Sequence, residues 1–420
     1  MTENRNWRTT FSSLHNPNYR WYWISATFAA AVMQMNLLAR GWLVFDLTGS
    51  YSDVGLVSFA AGVPLFILAP FGGAISDRLD KRNLIIASQV LLCVVLLCIS
   101  VLIFIDVIAF WHLMIAGFLN GVMLAFNLPS RQAIVPQLVE GSQVMNAVAL
   151  NSMSQNVMRV LAPGVGGVVI GFVGMAETYL IMVVLSVASV LLMFYVKPKE
   201  SELSLAWKTS ADGAHKGLQY IRHLVDDIRE AIQYVRGNPT LLGLLIMAMV
   251  PVLFGMPYVI LLVAFANGVL ELNAEQSGAL YSAAGIGALV GSLYIAFQGD
   301  FRCKGIFLMT SAMAFGVTLI LLAISNDFYL PFVILVGVGL SNGVYMIVNN
   351  TLLLMNSAEA MHGRVMGLFT WSIALLPLAA YPMGLAMDAA DPRIVFAVCG
   401  AIIVAFTLMM LLVRRDLWRL

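Results

Sequence analysis

Charge is what this chain has least of: Asp, Glu, Lys and Arg together make up 11% of its 420 residues. A water-soluble domain carries roughly twice that share, so a soluble globular fold is excluded and no nucleic-acid partner is expected. Cysteine is also sparse. The four are scattered, with Cys93, Cys98 and Cys399 inside apolar runs and Cys303 beside basic residues, which gives no disulfide framework. The five histidines lie apart, no H-E-x-x-H stretch occurs, and no paired carboxylates fall within an apolar run. Neither a metal site nor an enzyme's acid-base pair is therefore expected. No phosphate-cradling loop is present, so ATP is not the expected source of energy and no cofactor is foreseen. Residues 1–18 are polar and basic, with no short apolar stretch and cleavage site, so no signal peptide is expected to be removed.

What remains is oil. Apolar residues make up 60% of the chain and the mean hydropathy is +0.89. A helix of about 20 apolar residues covers the roughly 30 Å hydrocarbon core of a bilayer. Twelve such runs occur, at 21–45, 54–75, 83–105, 111–130, 143–173, 178–196, 240–266, 277–298, 305–325, 328–355, 365–387 and 393–413. The expected fold is an all-α membrane protein of twelve transmembrane helices in two pseudo-symmetric six-helix bundles. Of the 23 Lys and Arg, 20 fall in even-numbered loops or the two terminal segments, while Asp106, Glu177, Glu271, Glu275, Asp327 and Asp391 sit in the other loops. By the positive-inside rule both termini are cytoplasmic.

An internal repeat runs through the chain. Asn16-Pro17 returns at Asn238-Pro239, and Gly55 and Gly62 return at Gly278 and Gly285. Asp77 meets Asp300, Asn120-Gly121-Val122 meets Asn342-Gly343-Val344, and Asn127 meets Asn349. The offset stays at 222 or 223 residues. Six spans per copy insert both copies in one orientation, which relates them by an axis along the membrane normal. The domains read as an N-terminal bundle over 1–196, a cytoplasmic linker over 197–238 and a C-terminal bundle over 239–420. In the linker, Leu218, Ile221, Val225, Ile228, Ile232 and Val235 recur every three or four positions, the spacing of an amphipathic helix. A linker helix packed on the bundle ends and a helix for a partner or lipid surface both fit that pattern.

Polar groups inside apolar spans are expensive and mark candidate function. Span 1 carries Gln34, Asn36 and Arg40, and span 5 carries Asn151, Gln155 and Arg159 at intervals of four, on one helical face. Span 4 carries Asn120 and Asn127, then Arg131 near its end. Span 10 carries Asn342, Tyr345 and Asn349. The candidate substrate cavity is thus Gln34, Asn36, Arg40, Asn127, Asn151, Gln155, Arg159, Asn342, Tyr345 and Asn349. A buried Asn also serves simply to bridge helices. The span interiors hold no Asp or Glu, so a cavity with two fixed positive charges would favour an anionic or acceptor-rich substrate.

Residues 72–82 read Gly-Gly-Ala-Ile-Ser-Asp-Arg-Leu-Asp-Lys-Arg. This resembles the loop signature of the major facilitator superfamily, with Gly73, Asp77, Arg78, Lys81 and Arg82 in matching places. That resemblance implies a cytoplasmic gate built from these residues with Arg131 and Asp300. In span 5, Pro163, Gly164, Gly166 and Gly167 resemble the helix-bend motif of the superfamily's antiporters and exporters. The stretches at 42–50 and 129–133 resemble the efflux branch that holds bacterial macrolide-efflux-like permeases and the enterobactin exporter. The resemblance implies a monomeric secondary exporter of the bacterial inner membrane, with a small-molecule substrate and protons as partners. Uptake of an organic anion or nutrient, and a non-transporting membrane sensor, are the alternatives.

Overall fold

Asparagine followed by proline opens each half of the chain for a mechanical reason. Asn16 and Asn238 are helix N-caps whose side chains accept from Asn18 N–H at 3.0 Å and from Thr240 N–H at 3.1 Å. Pro17 and Pro239 occupy the first helical position, where a missing N–H costs nothing. In the computed structural model, residues 11–198, 226, 228–299 and 303–414 are described, apart from the side chains of 73–78 and Ser142.

The first half contains α1 (Pro17–Thr48), α2 (Tyr51–Arg78), α3 (Lys81–Phe104), α4 (Phe110–Leu138), α5 (Val144–Phe172) and α6 (Met175–Phe194). The second contains α7 (Pro239–Gly268), α8 (Ala274–Gln298), α9 (Lys304–Ala323), α10 (Tyr329–Met355), α11 (Glu359–Ala389) and α12 (Pro392–Val413). Among the described residues, eleven of these are both long enough and apolar enough to cross a membrane. The twelfth, α5, has the length, 29 residues, but its Asn, Gln and Arg side chains dilute its apolar content.

Two expected rods are broken. The run at 240–266 is α7, whose regular helix ends at Val250 and gives way to a π-turn over Pro251–Gly255 before resuming at Tyr258. Pro251 and Pro257 lack the N–H that an unbroken ladder needs. The run at 365–387 is α11, interrupted after Ile373 and resuming at Leu376 with Pro377 in its first turn.

Glycine sets the spacing within each half. A Cβ on Gly121 of α4 would collide with the Ala61 carbonyl of α2, and one on Gly339 of α10 with the Ala284 carbonyl of α8. These helix pairs pack backbone to backbone, as small residues permit inside a bilayer.

The apolar core is one body at one end of the molecule and two at the other. At the basal end, which carries residues 11 and 414, Tyr19, Ile85, Ile134, Leu150 and Met193 form a cluster drawn only from the first half. Leu244, Leu308, Val348, Val365 and Met410 form one drawn only from the second. At the distal end Leu38, Val57, Tyr179, Leu262, Phe315 and Phe396 belong to a single cluster shared by both. Contacts between halves run mainly along α2 against α11, α5 against α8, and α1 and α2 against the distal part of α7.

Of the linker pattern, Leu218, Ile221 and Val225 lie outside the described residues. Residues 228–237 are helical. Val235 is buried in the basal core of the second half, Glu230 pairs with Arg364 at 2.7 Å, and the Tyr234 hydroxyl accepts from Ala358 N–H at 3.0 Å. The described part of the linker helix is thus fastened to the second half.

Candidate functional site: the seam between the halves

Along the α5–α8 seam the packing is tight from the distal end to mid-membrane. A Cβ on Gly167 would strike the Ala274 carbonyl, and Gly278 faces the Pro163 carbonyl. Gly164 approaches Ser282, Gly166 approaches Met35 of α1, and Gly285 lies on the Arg159 carbonyl. The Pro163, Gly164, Gly166 and Gly167 stretch is therefore the surface by which α5 meets α8 and α1. Where that seam ends, Gln155 and Arg159 are exposed and Asn151 is half-buried. The stripe expected on α5 starts at the centre of the membrane and runs toward the basal end, where the two cores have parted. Among the described residues, the Arg159 guanidinium has no ion-pair or hydrogen-bond partner.

The other expected cavity residues are not brought together with Arg159. Asn36 and Arg40 line a small void inside the first half with Asn120, Leu96, Leu113 and Tyr179, which has room for about one water molecule. Gln34, two residues before Asn36 on α1, is half-buried. Asn127 donates to the Ser88 hydroxyl at 2.6 Å, and its carbonyl oxygen accepts from Arg131 Nε at 2.9 Å. Tyr345 is fully buried in the second half, its hydroxyl donating to the Met247 carbonyl. That carbonyl is the one Pro251 leaves without a helical donor. Asn349 is also fully buried, and neither of its amide atoms has a partner among the described residues. Asn342 is half-buried, with its oxygen unpartnered.

Of the expected gate, Gly73, Asp77 and Arg78 fall in the last turns of α2, where the side chains are not described, and Asp300 lies outside the described residues. Arg82 donates to the Met193 and Phe194 carbonyls at 3.0 and 2.7 Å, fastening the start of α3 to the C-terminal end of α6, where a cation is favoured. Lys81 is buried beside it. Asp80 is the N-cap of α3, accepting from Arg82 N–H at 2.9 Å. The two terminal nitrogens of Arg131 have no partner among the described residues.

The distal rim holds a residue that the sequence reading missed. Asp388, in the last turn of α11, accepts from Tyr51 N–H at 2.8 Å, Ser52 N–H at 2.9 Å and the Ser50 hydroxyl at 2.9 Å. The Ser50 oxygen in turn accepts from Asp53 N–H at 3.2 Å. The first N–H groups of α2, which a helix leaves orphaned, are satisfied largely by a carboxylate from the other half.

Helices arranged as two six-helix halves, meeting along α2–α11 and α5–α8 and parted at one end, define a membrane transporter fold. The chain resembles the solved nucleoside transporter NupG, with a TM-score of 0.75 at 14% identity over 94% of this chain and 98% of that one. A POT family transporter gives 0.70 at 12% identity over 97% and 96%. The chain belongs to the transmembrane secretion effector family of the major facilitator superfamily, which matches residues 8–414. It is a transporter of small molecules and not an enzyme. Similar proteins include the staphyloferrin A transporter of Staphylococcus aureus, 23% identical over 90% of this chain and 92% of that protein. The multidrug efflux pump Tap of Mycolicibacterium fortuitum is 24% identical over 92% of each. The enterobactin exporter of Shigella flexneri is 23% identical over 77% of this chain and 73% of that protein.

Proposed function

We propose that the chain exports an anionic or acceptor-rich small molecule across the bacterial cytoplasmic membrane by alternating access, driven by the proton gradient. The observation that carries this reading is Arg159, exposed at mid-membrane where the α5–α8 seam ends, with no acid paired to it among the described residues. A cation left free in a low-dielectric cleft attracts an acceptor-bearing ligand more strongly than it would in water. Gln155 and Asn151, on the same helical face, add neutral donors and acceptors. The basic residues at the basal end support a cytoplasmic placement of that end by the positive-inside rule, with the cleft on the side from which an exporter loads. Exporters and an efflux pump among the similar proteins favour the outward direction. The protein acts as a monomer, both halves of the seam coming from one chain.

Deleting the gene is expected to cause hypersensitivity to a toxic compound or loss of a secreted metabolite. The unaltered gene should restore the phenotype and an Arg159→Gln version should not. Inside-out vesicles should accumulate the compound when an inside-acid gradient is imposed. Accumulation with the opposite gradient alone, or full rescue by Arg159→Gln, overturns the reading.

A further inference from the structure

Proline 70 sits inside α2 and cannot donate to the carbonyl of Phe66, one helical turn earlier. An orphaned carbonyl inside a bilayer must find another donor. It finds one in the other half of the chain: Trp371 Nε1 donates to the Phe66 carbonyl at 3.0 Å. The two rings also stack, with centroids 4.9 Å apart and planes at 18°. Phe66 lies near the middle of α2 and Trp371 near the middle of α11, so the bond crosses between halves at mid-membrane depth. Distal to it the two helices are sealed, from Gly62 against Leu378 out to Gly384 against Tyr51. Toward the basal end the halves keep separate cores.

The opposite seam has a matching point. Pro163 frees the Arg159 carbonyl, and that carbonyl lies against Gly285 of α8, again midway along both helices. Within the second half, Pro251 frees the Met247 carbonyl and the Tyr345 hydroxyl takes it. Among the described residues an aromatic donor is thus supplied to a proline-freed carbonyl twice. Of the two, the Trp371 bond joins different halves, whereas the Tyr345 bond stays within one.

We propose that Trp371 is a positioning residue that pins α11 to α2 at the pivot of the transport cycle, its indole N–H replacing the helical donor that Pro70 removes. A hydrogen bond at the pivot need not break as the distal seam opens and the basal cleft closes. Bonds at either end must. The inference rests on the rocking of halves proposed above, and its test separates the two.

The full chain, with its native cysteines changed to alanine, carries spin labels at Val107 and Asn326, exposed distal positions in different halves. Two distance populations in the unmutated background support rocking, and a single fixed distance under all conditions overturns that reading. Trp371→Phe keeps the ring stack and removes only the N–H. It is expected to shift or broaden the distance distribution and to lower Tm. Pro70→Ala restores a helical donor to Phe66, so Pro70→Ala with Trp371→Phe should regain most of both losses. An unmoved distribution in Trp371→Phe, or the same penalty with and without Pro70, overturns the pin.

Discussion

The carboxylate of Asp388 caps the helix that begins at Tyr51, although the two residues lie in different halves of the duplicated chain. Two backbone N–H groups and one hydroxyl converge on it at 2.8 to 2.9 Å. Hydrogen bonds to a charged acceptor are stronger than neutral ones, but this rim is open to water, so a net worth of about 1.5 kcal/mol is reasonable. Asp388→Ala should therefore shift the ratio of distally closed to distally open molecules by about tenfold toward open. Asp388→Asn, which keeps one acceptor, should fall between. Label distances across the distal rim measure the shift, and an unchanged ratio in the alanine variant would dismiss the latch.

Arg159 and Arg40 should differ in reach. A cysteine in place of Arg159 should react with a negatively charged, membrane-impermeant thiol reagent added from the basal side. Arg40→Cys, enclosed with Asn36, Asn120 and Tyr179, should not react until the protein is unfolded. Equal labelling of both would mean that the cleft continues into the first half.

The duplicated asparagines should respond in opposite ways to the same change. Asn127→Leu removes the donor to the Ser88 hydroxyl and the acceptor of Arg131 Nε, and leaving that guanidinium N–H unmet should cost about 1–3 kcal/mol. Asn349→Leu replaces an amide that has no partner among the described residues and should be neutral or stabilising. Thermal unfolding of the purified protein distinguishes them. A destabilised Asn349→Leu would point to a bound water or ion holding that amide.

Glycine-to-alanine exchange should separate packing from helix propensity. Gly121→Ala drives a methyl group into the Ala61 carbonyl and should destabilise by about 1–3 kcal/mol. Gly367→Ala meets nothing within 4 Å and should be neutral or raise Tm slightly, since alanine stiffens a helix. Similar losses at both positions would rule out the close α2–α4 approach.

Twelve crossings and their pairing into halves were legible because bilayer solvation forces long apolar runs and the repeat preserves its offset. The stripe on α5 was legible for a related reason: three polar residues four apart have only one face to share. Asp388 escaped notice because it reads as loop until α11 is seen to run past residue 387. Trp371 gave no signal alone, since its meaning depends on Pro70, some three hundred residues earlier. The repeat also concealed a difference between its copies. Gly117 meets Val57, whereas its counterpart Gly339 meets Ala284, one helical turn further along than the sequence offset implies. Identical glycines thus support two registers, and only coordinates reveal the slip. Asn349 belongs to the same divergence, because position 353 holds leucine where the first copy places Arg131.

The diluted apolar character of α5 bears on how the protein is made. A nascent helix with that many amides and a guanidinium partitions weakly into lipid by itself. Its lodging in the bilayer leans on packing against α1 and α8, its two main neighbours, so the fifth crossing is expected to settle fully once α8 has been made.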